Sequence, residues 1–212
     1  MSVAPQPTAY IVDDDEAICT LWRWLMESNA IPVQTFATAA EFIGAYRRDD
    51  PGCLVLDLNL PGMSGLELQD YLKGQGIEIP IVFVTGHADV PTAVSALKGG
   101  AVDYIQKPFG YREVLGIIRK AFGRDAEIRE ARARQALMSS RIAALTERER
   151  DVLRRIIAGK PNKIIAGELD ISMKTVEFHR SKLMEKMGAD SVAALVQLTL
   201  GFSLVDGLPP EG

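Results

Sequence analysis

Apolar residues are not spread evenly along the first half of the chain. They gather in short runs at regular intervals: AYIV (9–12), PVQTFA (32–37), CLVLDL (53–58), IPIVFVTG (79–86) and DYIQKP (103–108). Three of the runs are nearly continuous and rich in β-branched or aromatic residues, as strands buried on both faces should be. The stretches between them carry a helical period. Over 15–29, Ile18, Leu21, Trp22, Leu25 and Met26 recur three to four residues apart on one face. Thr38 with Glu41, and Ser64 with Glu67, each read as a capping box that opens a helix, and Asp89 with Pro91 suits a helix entrance. Strand and helix alternate five times, which predicts a parallel sheet wound with helices on both faces.

The second half has a helical period throughout. FGRDAEIREARARQALMSSRIAAL (122–145) is rich in Ala, Arg and Glu, with sparse apolar positions at Ile128, Leu137, Ile142 and Leu145. It reads as a helical linker with a solvated face rather than a flexible tether. Thr146 and Glu149 form a further capping box, and Val152, Leu153, Ile156 and Ile157 make one apolar face before Gly159 and Pro161 end the helix. NKIIAGELD follows as a short helix capped by Asn162, then a longer helix from its cap Ser172 to Gly188, then DSVAALVQLTLGF. A short helix, a tight turn and a longer helix with a polar first turn is helix-turn-helix geometry. The longer helix buries Val176, Leu183 and Met187 and leaves Lys174, Glu177, Arg180 and Ser181 on the other side, where they suit a major groove.

Charge supports two units. The chain of 212 residues has a net charge of −4, but residues 1–123 hold 9 Lys and Arg against 15 Asp and Glu, and the remainder holds 15 against 13. An acidic half joined to a mildly basic half suggests different partners for each. Two cysteines, Cys19 and Cys53, are too few for a disulfide framework or a zinc site and read as buried thiols. No apolar run approaches the ~18 residues of a membrane span, and the N-terminus lacks a basic leader, so no membrane partner and a cytoplasmic location are expected.

Candidate chemistry collects where the runs end. Asp13 and Asp14 end the first, Asp57 the third, Thr85 the fourth and Lys107 the fifth. In parallel sheets, ligands bind beyond the carboxyl ends of the strands. Carboxylates without thiols or imidazoles suit a hard cation, magnesium above all. A lysine and a hydroxyl beside it suggest a phosphoryl group. Asp57 is followed by the turn-rich NLPGMSG, which leaves its carboxylate accessible as a nucleophile that could become an acyl phosphate. Asp15, the third aspartate of DDD, is expected to cap the first helix instead.

IVDDDE, VLDLNLPGMSGLEL, VFVTGHAD and AVDYIQKPF, in this order, resemble the receiver domain of two-component response regulators over residues 7–122. LTERERDVL followed by GKPNKIIAGELDISMKTVEFHRSKLMEKMG resembles the LuxR-type output domain over 145–202, so that the whole is similar to the FixJ/NarL family and leans to its FixJ side. The resemblance implies a five-stranded flavodoxin-like sheet of order 2-1-3-4-5, divided as receiver 1–122, helical linker 123–144 and four-helix output domain 145–212. It implies magnesium at Asp13, Asp14, Asp57 and the main-chain carbonyl of Asn59, with Asp14 as direct ligand and Asp13 through water. It makes Asp57 the phosphoacceptor, Thr85 and Tyr104 the switch residues, Lys107 a phosphate contact and Lys107–Pro108 a cis peptide. Gly86 would leave room for phosphoryl oxygens, and His87 is open between tuning water access and a solvated loop position.

By the same resemblance the partners are a sensor histidine kinase, double-stranded promoter DNA, a second copy on phosphorylation, and RNA polymerase. Lys163, Lys174 and Thr175 suit phosphate contacts, while Glu177, Arg180 and Ser181 are the better candidates for base edges. Phe178 stands where the family often has valine, and suits either a thymine methyl or packing. Lys182 and Lys186 are open between phosphate contact and surface, and His179 between packing and DNA. Lys98 and Asp103 are candidates for pairing across a receiver dimer. Val192, Leu195, Val196 and Thr199 exceed what one small core needs and suggest a dimer face in the last helix.

Two rivals stand beside this reading. A magnesium phosphatase or phosphotransferase of haloacid-dehalogenase type would use Asp13 and Asp15 and would be expected to carry a cap insertion. A DNA-binding regulator indifferent to phosphorylation would keep the receiver only as an interaction module.

Overall fold

The computed structural model describes residues 5–86 and 90–200. They fall into two compact units, one reaching to Glu130 and one beginning at Ala131.

The first unit is built on β1 (Thr8–Val12), β2 (Val33–Phe36), β3 (Gly52–Asp57), β4 (Ile81–Thr85) and β5 (Asp103–Gln106). All pair in parallel in the order β2-β1-β3-β4-β5. The helices α1 (Glu16–Glu27), α2 (Ala39–Ala45), α3 (Gly65–Gly74), α4 (Val90–Lys98) and α5 (Tyr111–Ala143) connect or follow them. β3 and β4 are buried at every residue, which is why their sequences run apolar without alternation.

One core lies on each side of the sheet. Tyr10, Phe42, Leu54, Leu56, Leu68, Leu72 and Phe83 fill one, and Trp22, Met26, Val55, Val82, Val84 and Ile118 the other. Fully burying side chains such as Phe42 and Phe83 stabilises the unit by about 1.5–3 kcal/mol each.

Local signals mostly act as their chemistry requires. Asp15 caps α1, its carboxylate accepting from the Ala17 and Ile18 amides. Ser64 and Glu67 form a reciprocal capping box. At α2 the reciprocity fails: Thr38 accepts from Glu41 N, but the Glu41 carboxylate accepts from Ala37 N, one residue further back. Lys107–Pro108 is cis. The expected linker lies within α5, a continuous helix to Ala143.

The second unit comprises the end of α5 with α6 (Glu147–Ile157), α7 (Asn162–Leu169), α8 (Met173–Met187) and α9 (Val192–Leu200). Met138, Leu145, Leu153, Ile156, Ile165, Val176, Leu183 and Met187 are among its core. Thr146 and Ser172 cap α6 and α8. Asn162 does not cap α7: Pro161 takes that position with no side-chain cap, and Asn162 is the first helical residue. Proline's fixed φ already suits a helix entrance, so the helix starts without a capping oxygen. Asp170, with φ of 51°, ends α7, and Gly188, with φ of 62°, ends α8. Among the described residues, no helix is long and apolar enough to cross a membrane.

Candidate functional site

At the carboxyl edge of the sheet, the ends of β1, β3 and β5 bring three side chains together. Lys107 Nζ lies 2.6 Å from Asp13 Oδ2 and 2.6 Å from Asp57 Oδ2. Each carboxylate is held from its other oxygen as well. Asp13 Oδ1 accepts from Asp15 N at 3.0 Å, and Asp57 Oδ1 accepts from Asn59 N at 3.0 Å. Burial raises the Asp13 pKa, against the lowering effect of the Lys107 hydrogen bond. Burial alone would lower that of Lys107, but its bonds to the two carboxylates win and raise it, so the ammonium is kept charged.

The surrounding positions differ in exposure. Thr85 is buried, and its carbonyl accepts from Lys107 N at 2.8 Å. Tyr104 is half-buried and packs on the core beside Phe83. Asp14 and Asn59 face solvent, and a side chain at Gly86 would meet only open space. The loop after Asp57 returns close beneath it: Gly65 N donates to the Leu58 carbonyl at 3.0 Å, and a Cβ on Gly65 would collide with the Asp57 carbonyl oxygen. His87 and Asp89 lie outside the described residues.

In the second unit, α7 and α8 are joined by three residues, 170–172. Lys163, Lys174, Glu177, Phe178, Ser181 and Lys182 are exposed, and Thr175, His179 and Arg180 half-buried. Phe178 is 60% exposed, in edge contact with His179 at 5.7 Å, so it does not fill the core. Lys182 pairs with Glu185 at 2.9 Å.

Comparison with known proteins places these two units. The model of the response regulator receiver domain matches residues 9–119, and that of the luxR family of bacterial regulatory proteins matches 143–199. The chain belongs to the LuxR-type response regulators.

The response regulator protein TodT of Pseudomonas putida is 42% identical over 190 residues, covering 90% of this chain and 84% of that protein. The transcriptional regulatory protein FixJ of Azorhizobium caulinodans is 40% identical over 191 residues, covering 90% of each. Among solved structures, the response regulator StyR matches with a TM-score of 0.86 at 42% identity, over 93% of this chain and 100% of that one. Full-length FixJ from B. japonicum matches with a TM-score of 0.58 at 38% identity, over 93% and 97%. The chain is thus a receiver joined to a LuxR-type DNA-binding domain, homologous to transcriptional regulators of two-component systems. The haloacid-dehalogenase reading falls with these matches, and Asp15 is occupied in capping α1.

Several expected roles meet a different geometry in this response regulator. Leu195 and Thr199 do not belong to an exposed dimer face. Leu195 is fully buried in the unit's own core, and the buried Thr199 hydroxyl bonds the Leu195 and Val196 carbonyls. Val192 is exposed and Val196 half-buried. Lys186 is neither a free surface group nor placed for phosphate: its Nζ lies 2.7 Å from the buried Glu149 carboxylate. Asp103 bonds Tyr104 N and pairs at 3.4 Å with Lys120, while Lys98 is exposed.

Receiver domains generally take Mg2+ for phosphorylation. Here Asp13 and Asp57 share one ammonium while Asp14 adds a third carboxylate, so acidic charge at this edge exceeds its lysine. Oxygen donors with surplus negative charge fit a hard divalent ion. Among the described residues, no three His, Cys, Asp or Glu side chains are already gathered as a metal cluster, since Asp14 points outward.

Proposed function

We propose that this response regulator is activated by phosphorylation of Asp57. The observation that carries the reading is the convergence of Asp13 and Asp57 on Lys107, 2.6 Å from each, at the edge where the NLPGMSG loop begins. A sensor histidine kinase presents a phosphohistidine. The Asp57 carboxylate attacks phosphorus, the P–N bond breaks, and an acyl phosphate remains on Asp57. Lys107 offsets charge on the transferred group, and Thr85 and Tyr104 respond to it. Asp13, Asp14, Asp57 and the Asn59 carbonyl would hold Mg2+, which when bound neutralises phosphoryl oxygens. Autodephosphorylation at Asp57 returns the resting form.

The acyl phosphate shifts a pre-existing equilibrium toward a form that dimerises through α4 and β5, with Lys98 and Asp103 in that face. Two copies then present two α8 helices to promoter half-sites. Lys163, Lys174, Thr175 and Lys182 contact phosphates, and Glu177, Phe178, Arg180 and Ser181 face base edges. Val192 and Val196 supply the output contact between copies, RNA polymerase is engaged at the promoter, and the protein works in the cytoplasm. Acetyl phosphate with Mg2+ is expected to label Asp57 and convert monomer to dimer in sedimentation. An Asp57→Asn variant is expected to do neither, and a variant that still dimerises with acetyl phosphate as the wild type does overturns the mechanism.

A further inference from the structure

Among its described side chains, the helix α4 is weakly anchored. Of its described side chains, only Ala96 is buried, while Pro91, Val94, Ser95, Leu97 and Lys98 are exposed. An element with so little buried apolar surface sits at the low end of local stability and moves readily. Its C-terminal turn is held by a polar side chain from another helix. Gln69, buried on α3, sends its Nε2 to the Ala96 carbonyl at 3.2 Å. The same carbonyl accepts from Ala101 N at 3.1 Å, where the chain leaves α4 for β5.

The fit around Gln69 is close. A Cβ built on Gly99 would collide with Gln69 Oε1 and lie 2.8 Å from its Cδ and 3.0 Å from its Nε2. Gly99 therefore leaves the space that the Gln69 amide fills, and the two residues form a lock-and-notch between α3 and the end of α4.

We infer that Gln69, seated against Gly99 and bonded to the Ala96 carbonyl, is a positioning residue that holds α4 in the resting conformation of the receiver. This rests on the reading that α4 shifts when Asp57 is phosphorylated. The side chain touches neither Asp57 nor Lys107; it acts by adding one hydrogen bond to the resting form that the shifted helix gives up. A ligand or contact moves an equilibrium only by its differential free energy between the two states. A single uncharged hydrogen bond corresponds to about a two- to tenfold bias. Removing it raises the fraction of unphosphorylated protein in the active form by that factor and leaves the phosphorylated form unchanged.

The test is Gln69→Met in the full chain, which keeps length and removes both polar atoms of the amide. Dimerisation is measured by sedimentation with and without acetyl phosphate, and Asp57 labelling by mass spectrometry. The expected result is about a four- to hundredfold stronger dimerisation constant without phosphodonor, the square of the bias on each protomer, an unchanged one with it, and a correspondingly smaller gap between them. Equal constants for variant and wild type without phosphodonor, or an equal shift in both conditions, overturn the proposal. Gly99→Ala attacks the same contact from α4, displacing the flexible Gln69 amide rather than backbone. It is expected to give the same shift, with faster exchange of the Ala101 amide proton. If Gln69→Met does not fold, an unaltered dimerisation profile in Gly99→Ala overturns the inference on its own. A wild-type chain that is not labelled at Asp57 fails the phosphorylation reading itself. A wild type that is labelled and dimerises, beside variants that behave identically, fails only the role of Gln69.

Discussion

At the scale of single residues, identical side chains do different work because their neighbours differ. Three consecutive aspartates separate into a buried carboxylate on Lys107, a solvent-facing one and a helix cap. Glu149 shows the same dependence on context. Burial works against its ionisation, but the Lys186 bond and the Thr146 amide and hydroxyl prevail and lower its pKa. A carboxylate with a depressed folded pKa contributes stability above its unfolded pKa and loses it as pH falls through the folded one. The second unit is therefore expected to lose stability below about pH 4.5, the unperturbed glutamate range. Denaturation midpoints of wild type and Glu149→Gln should differ at pH 7 and converge on acidification. On α8, Lys174→Ala is expected to weaken DNA binding at all sequences and reduce the salt slope by about one. Arg180→Ala is expected to cost about 1–3 kcal/mol and relax specificity at one base position. Binding titrations at several salt concentrations separate the two.

At the scale of elements, the strands were the most legible part of the chain. β3 and β4 are buried on both faces, so their burial is written as unbroken apolar runs. Capping residues marked helix starts well, because Ser64, Thr146 and Ser172 act locally. What periodicity does not carry is the identity of the surface that buries a face. Leu195 and Thr199 lie on an apolar stripe whichever partner covers it, and the unit's own core does. Polar residues that bridge distant elements were equally hidden: Gln69, Lys186 and Asp125 look like ordinary surface positions in sequence. Asp125 in fact accepts from Gly52 N at 3.1 Å and from Arg129 Nε at 2.7 Å, and Arg129 bonds the Asp49 and Asp50 carbonyls. This clamp ties α5 to the start of β3, three to seven residues past the expected receiver boundary, and its only sequence trace is the i, i+4 spacing of Asp and Arg. Asp125→Ala strands the buried Gly52 amide and removes one of the Arg129 bonds, and is expected to cost about 1–3 kcal/mol in urea denaturation.

At the scale of the molecule, each unit has its own core and its own charge. The acidic half collects a carboxylate site, and the basic excess of the other half is small. Salt-dependent DNA affinity should therefore come from a few placed cations rather than a general field. Magnesium is expected to stabilise only the receiver. At a hundredfold excess over Kd it should add about 2.7 kcal/mol to receiver unfolding and leave the output transition in place. Calorimetry with and without Mg2+ checks this, and Asp14→Asn is expected to lose most of the shift.

One position in that receiver carries no chemistry and yet governs it. Gly65 opens α3 directly beneath Asp57, the proposed phosphoacceptor, where any Cβ would press on the Asp57 carbonyl oxygen. The backbone that carries Asp57 keeps its place because no side chain stands behind it. Signalling through Asp57 is consequently expected to be vulnerable to a change as slight as one methyl group that leaves every charged residue in place.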